Sequence, residues 1–141
     1  MDVTRLGYRV IYADCDAMGV VYHGNYLRLA EAGRNQYCRD HGLAYKDIEK
    51  AGFFFPVIEA HVKYLRPALF EDELDVAVWL SRRTRVRLEF DFEIRRGPEL
   101  LVAGHTVHAC INREGRPIRL PTGFEDRFPV HAARGPTHAD G

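Results

Sequence analysis

The segment RVRLEFDFEIRR, residues 85–96, alternates apolar and charged residues without a break: Val86, Leu88, Phe90, Phe92 and Ile94 against Arg85, Arg87, Glu89, Asp91, Glu93 and Arg95. Successive residues of a strand point to opposite faces, so the pattern predicts a β-strand with one face buried and the other wet. Such a strand belongs in an antiparallel sheet covered on one side. The flanking segments supply its neighbours. Leu74, Val76, Val78 and Leu80 alternate with Asp75, Ala77 and Trp79, and upstream Phe54, Ile58, Ala60, Val62 and Tyr64 share one face of a strand ending at Leu65–Pro67. Gly97 and Pro98 turn the chain into a last strand, ELLVAGHTVHACINREG, and YRVIY at Tyr8–Tyr12 reads as the first.

One long segment departs from period two. From Asn25 to about His41 the residues Tyr26, Leu29, Ala30, Gly33 and Tyr37 recur at helical spacing, while Arg28, Glu31, Arg34 and Asn35 take other faces. Gly24 or Asn25 can cap its start, and Gly42 suits the left-handed position that closes many helices. Ala30 and Gly33 leave little side chain on the apolar face, so this helix can lie close to whatever it covers. GLAYKDIEKAG, residues 42–52, follows as a short helix or loop. The expected order is strand, helix, then a meander of four strands whose short connections make neighbours antiparallel. That is an α+β fold, a curved antiparallel sheet around one central helix. At 141 residues the chain fits a single domain, expected over 1–130, with 131–141 as a loose tail.

Charge and cysteine content exclude several classes. Lys and Arg total 20, as do Asp and Glu, so no basic excess points to nucleic acid or an anionic membrane. Cys15, Cys38 and Cys110 are odd in number and form no CxxC pair, against a disulfide framework or zinc knuckle and in favour of a reducing cytoplasm. Neither a signal segment nor the ~20 apolar residues of a membrane span is present. His105 and His108 sit three apart on a strand and so face opposite ways, which rejects a metal pair. Ser81, the only serine, has no G-x-S-x-G setting, and there is no G-x-G-x-x-G or P-loop. No cofactor or metal is expected.

What packing does not explain is DCDAMGVVYHGNYLRLAEAGR, residues 14–34, with two aspartates in an apolar setting before a helix. This segment resembles the signature of the 4-hydroxybenzoyl-CoA thioesterase and YbgC-like acyl-CoA thioesterases. VKYLRPALFEDELDV, residues 62–76, is similar to that family's second strand and its turn, so the resemblance covers about residues 5–120. It implies the hotdog fold and hydrolysis of an acyl-CoA in a homodimer or homotetramer with active sites between subunits. It also implies that Asp16, second of the D-x-D pair, is the catalytic carboxylate, and that His23 offers a backbone N–H to the thioester oxygen.

The chemistry suits those residues. A thiolate with a reference pKa of ~8.5 leaves without a strong general acid. What must be supplied is an attacking oxygen and stabilisation of the carbonyl oxygen's growing charge. Asp16 can attack directly or draw a proton from water. N–H groups near Tyr22, His23, Gly24 and Asn25 sit at the positive end of the helix dipole and can form an oxyanion hole. The His23 side chain has two readings, contact with substrate or Asp16 and ordinary packing. Asp14 fits a structural role in the loop, Cys15 a buried structural one, and Glu31 a solvated helix face. Arg82, Arg83 and Arg85 can bind CoA phosphates or form a solvated turn. Competing readings are a thioesterase acting on acyl carrier protein, a non-catalytic acyl-thioester-binding hotdog protein, and a dehydratase, which His23 with Glu31 matches poorly. The aromatics Tyr22, Tyr26, Phe53, Phe54, Phe55 and Tyr64 suit an aryl pocket or a fatty-chain tunnel equally.

Overall fold

The computed structural model describes residues 2–131. Five strands form one antiparallel sheet: β1 (Val3–Arg9), β2 (Val57–Tyr64), β3 (Glu73–Arg83), β4 (Arg87–Arg96) and β5 (Glu99–Ala109). Three helices accompany it, α1 (Asn25–Asp40), α2 (Tyr45–Lys50) and α3 (Phe124–Arg127). The spatial order is β1-β3-β4-β5-β2. This corrects the expected meander, because β2 and β3 are consecutive in sequence but not neighbours. The segment 65–72 between them is no tight turn. The N–H groups of Leu65 and Arg66 bond back to the Leu101 carbonyl, and Val21 donates to the Ala68 carbonyl at 2.9 Å. Held at both ends, it carries the chain across β5 and β4.

The helix α1 lies on the sheet through Tyr26, Leu29, Ala30, Gly33, Tyr37 and Cys38. Gly33 is where it comes closest, since a Cβ there would meet the Val78 Cγ2 at 2.5 Å. Glycine therefore sets the distance between helix and sheet. Apolar side chains of β3 and β4, among them Val76, Val78, Phe92 and Ile94, close the core beneath. Each such buried side chain contributes roughly 1.5–3 kcal/mol. At its C-terminal end Gly42 adopts a left-handed φ of 82° and Leu43 N–H returns to the Cys38 carbonyl, which satisfies the last turn as expected.

Two other expectations need correction. The first strand spans Val3–Arg9 rather than Tyr8–Tyr12, because Tyr12–Asp14 winds into a 3-10 turn in which the Asp14 side chain accepts from Ile11 N–H. The charged face of β4 is not wet. Asp91 and Glu93 are buried along with Trp79 and His105, and lateral pairing offsets the cost of burying their charge. Asp91 stands opposite His105 on β5, whose Nδ1 lies 2.6 Å from the carboxylate, and Glu89 meets the other ring nitrogen at 3.0 Å. The burial that would lower the His105 pKa is outweighed by these two carboxylates, which raise it. At the last described residue, His131 N–H bonds to the Leu80 carbonyl of β3. The rest of the expected tail, 132–141, lies outside the described residues.

Candidate active site

The loop between β1 and α1 is a short hairpin. Tyr22 N–H bonds to the Asp14 carbonyl, Cys15 bridges Val21, and Asp16 N–H bonds to the Val20 carbonyl. Its tip turns through Gly19, whose φ of 81° favours glycine. Asp16 sits exposed at that tip. One of its oxygens, Oδ1, accepts from Met18 N–H at 2.8 Å and from Val20 N–H at 3.4 Å. Among the described residues Oδ2 has no partner. The turn thus fixes the carboxylate and leaves one oxygen open.

Asp14 is the buried anchor of the same hairpin. Its Oδ2 accepts from the Tyr8 hydroxyl at 2.7 Å and from Ile11 N–H at 2.9 Å, its Oδ1 from Arg28 at 2.6 Å, and its carbonyl from the Asn25 amide at 2.8 Å. Four contacts tie loop and helix start together, in keeping with the structural role read for Asp14. Arg28 is therefore not merely a solvated helix residue. Cys15 is half-buried, and its thiol is pushed up by desolvation and then by the charges of Asp14 and Asp16. That opposes a nucleophilic role.

At the start of α1 the Tyr22 N–H is spent on Asp14, and the Asn25 N–H on the Tyr22 carbonyl. The N–H groups of His23 and Gly24 have no acceptor among the described residues. Of the four residues read as an oxyanion group, these two retain backbone donors, while Tyr22 offers a half-exposed ring and Asn25 holds the loop. The His23 ring is exposed, 4.4 Å from the Tyr22 ring, and its carbonyl accepts from the Tyr64 hydroxyl. A Cβ at Gly24 would meet the Tyr22 ring at 2.9 Å, so glycine is what lets this ring fold over the helix start.

Among the described residues Asp16 and His23 line separate depressions. Asp16 borders a depression of about 320 Å³ with Tyr12, Gly19 and Phe70, and His23 one of about 250 Å³ with Tyr26, Tyr64 and Arg66. The arginines lie farther still. Glu73, at the Asp16 end of β3, and Arg83 are ten residues apart, or roughly 30 Å along a strand. Arg82 pairs with Glu89 at 3.3 Å, Arg83 donates to the Phe128 carbonyl, and Arg85 is exposed.

His105 and His108 face opposite sides of β5, as their spacing requires. His108 points under α1, where its Nδ1 bonds to the Phe55 carbonyl and its Nε2 to the Thr106 hydroxyl. Burial pushes its pKa down to about 4, helped by the nearby Arg34 charge. Helical periodicity puts Arg34 on a face other than the apolar one. Instead it is partly buried and lines a cavity of about 290 Å³ beneath the second half of α1. Periodicity cannot identify such a residue, because the cavity is built by segments distant in sequence, Phe55–Val57 and β4. Among the described residues no group of three or more His, Cys, Asp or Glu could hold a metal, and no helix is long and apolar enough to cross a membrane.

Comparison with known proteins places this geometry. The family profile of the thioesterase-like superfamily matches residues 10–128. The acyl-CoA thioester hydrolase YbgC of Escherichia coli O6:H1 is 32% identical over 126 residues, 88% of this chain and 94% of that protein. Among solved structures, the hypothetical protein TT1821 from Thermus thermophilus superposes with a TM-score of 0.86 at 32% identity, covering 91% of this chain and 99% of that one. The DHNA-CoA thioesterase from Staphylococcus aureus gives a TM-score of 0.81 at 32% identity, covering 92% and 85%. With a five-stranded antiparallel sheet against one long helix, this chain has the hotdog fold and belongs to the thioesterase-like superfamily.

Proposed function

We propose that this protein hydrolyses an acyl-CoA to the free acid and CoA, with Asp16 as nucleophile or general base. The observation that supports it most is the Asp16 carboxylate, held through one oxygen by its own turn and, among the described residues, open at the other, on the hairpin that leads into N–H groups at the helix start that have no acceptor among those residues. An ionised carboxylate can attack the thioester carbonyl or take a proton from an attacking water. The charge that develops on the carbonyl oxygen is met by the N–H groups of His23 and Gly24 and by the helix dipole. Collapse of the tetrahedral intermediate breaks the carbon–sulfur bond. The thiolate, being a weak base, leaves unaided and takes its proton from solvent.

The acting unit is a homodimer or homotetramer. Both edges of the sheet, β1 and β2, are open, and open edges favour association. Since Arg82, Arg83 and Arg85 stand far from Asp16 along β3, any contact they make with the CoA phosphates comes from a second copy. Free cysteines at positions 15, 38 and 110 suit the cytoplasm.

The test is release of CoA thiol from short, medium, long and aromatic acyl-CoAs, with an acyl carrier protein thioester as a further substrate. Turnover of at least one acyl-CoA is expected. Turnover of none, or of the carrier-protein thioester alone, overturns the reading. Single turnover in ¹⁸O-labelled water then tests the nucleophilic role of Asp16, since label in the aspartate marks an anhydride intermediate opened at the aspartyl carbonyl.

A further inference from the structure

The described residues include one partly buried arginine that lacks a partner. Arg5, Arg9, Arg28, Arg66, Arg82, Arg95 and Arg96 each pair with a carboxylate, and Arg83 donates to a backbone carbonyl. Arg85, Arg87, Arg116 and Arg119 are exposed and need nothing. Arg34 alone lies partly buried, in the wall of the cavity beneath α1, with no acceptor among the described residues within hydrogen-bonding distance. Its pKa is lowered, first by desolvation, which Glu31 opposes. Glu31 is exposed at the cavity's rim and makes no ion pair with it. A desolvated guanidinium without an anion is costly, and its planar fork matches a carboxylate with two parallel bonds.

The other groups in the cavity supply no anion. The Cys38 thiol is pushed up to about 11 by burial and stays protonated. His108 is neutral and already satisfied on both nitrogens. The Tyr45 hydroxyl accepts from Phe55 N–H, and its own proton remains to be donated. Asn35 is neutral, and Phe55, Phe90 and Phe128 give the cavity an apolar wall opposite the helix. At about 290 Å³ the space holds a small organic fragment rather than a whole cofactor. Ten residues separate Gly24 from Arg34, roughly 15 Å along the helix, so only a long acyl chain spans the distance from the proposed oxyanion hole to this cavity.

We propose that this cavity receives the far end of the acyl group and that Arg34 selects acyl groups ending in a carboxylate, the apolar body lying against Phe55, Phe90 and Phe128. The substrate class is thus the mono-CoA thioester of a dicarboxylic acid, a specificity that rests on the thioesterase reading above.

The test compares matched acyl-CoAs of equal length ending in methyl or carboxylate, with chains long enough to reach from the oxyanion hole to Arg34: octanoyl with suberoyl, decanoyl with sebacoyl, dodecanoyl with dodecanedioyl. It measures kcat/KM in the native protein and in Arg34→Leu, and in parallel the affinity of both for the corresponding non-hydrolysable thioether analogues. For at least one length the native protein should favour the carboxylate about tenfold or more, and Arg34→Leu should lose that preference while its methyl-ended substrates change little. Arg34→Gln serves where the leucine variant does not fold. Equal or better use of the methyl-ended partner at every length overturns the proposal, as does an equal loss on both partners in the variant. If no thioester is cleaved but carboxylate-ended analogues bind more tightly in an Arg34-dependent way, the selectivity stands and the hydrolytic reading falls.

Discussion

The carboxylate of Asp14 and the guanidinium of Arg28 meet at 2.6 Å, locking the hairpin after β1 to the first turn of α1. The aspartate is buried and the arginine half-exposed, so the pair acts as a clasp whose inner half has no access to water. Asp14→Asn keeps the shape but removes the charge and one acceptor. A destabilisation of about 1–3 kcal/mol in urea unfolding is expected, with lowered activity because the helix start moves. An unchanged midpoint would show that Asp14 does not hold this loop.

Gly33 and Val78 set how near α1 approaches the sheet. Gly33→Ala is expected to cost about 1–3 kcal/mol by overpacking, despite alanine's better helix propensity. In a Val78→Ala background the same substitution should become neutral or stabilising, since the obstructing methyl is gone. A double-mutant cycle by thermal unfolding checks the coupling. Additive effects would place the contact elsewhere.

His108 makes stability depend on pH. Its folded pKa is depressed to about 4 by burial, below the ~6.5 of an unfolded histidine. Its contribution is therefore complete above ~6.5 and is lost as pH falls toward 4, roughly 3 kcal/mol over the interval. His105 has the opposite sign, because its folded pKa is raised: its contribution is present below ~6.5 and fades as pH rises past its folded value. Between pH 6.5 and 5 the native protein should lose stability in urea unfolding, and His108→Gln should flatten that slope. The same slope in both would contradict the assignment.

Arg83 and Arg85 should separate structure from binding. Arg83 donates to the Phe128 carbonyl, so Arg83→Ala should lower stability by about 1–3 kcal/mol. Arg85 is exposed and without a partner among the described residues, so Arg85→Ala should leave stability within about 0.5 kcal/mol. If it meets CoA phosphate, KM for acyl-CoA rises and the effect shrinks with dephospho-CoA thioesters. An unchanged KM removes Arg85 from the CoA site.

The helix and its surroundings were legible in the sequence because local signals agreed. Periodicity gave α1 to within a residue at its far end, Gly42 its closure, and the small pair Ala30 and Gly33 its close approach. The four later strands were equally plain, but the first was placed too late in the chain, and strand order was not legible. Nothing local distinguishes a turn at 65–72 from a crossover, since the pairing of Leu101 with Leu65 and of Val21 with Ala68 is a matter of tertiary structure. Alternation in β4 likewise describes which way side chains point and not what covers them, so Asp91 and Glu93 read as wet although both are buried. In the site, the sequence distinguished Asp16 from Asp14, and the structure gives each a different environment. Arg34 escaped because its isolation depends on residues of five other segments.

The central claim is that the Asp16 carboxylate performs the chemistry, and the most direct measurement is kcat for CoA release by Asp16→Asn on the best native substrate. Asparagine keeps an oxygen to accept from Met18 N–H, so the turn and the thermal unfolding midpoint should persist. Turnover should fall by about 10²-fold or more, as general acid–base contributions of 10²–10⁴ imply. Undiminished turnover by the folded variant would contradict the account.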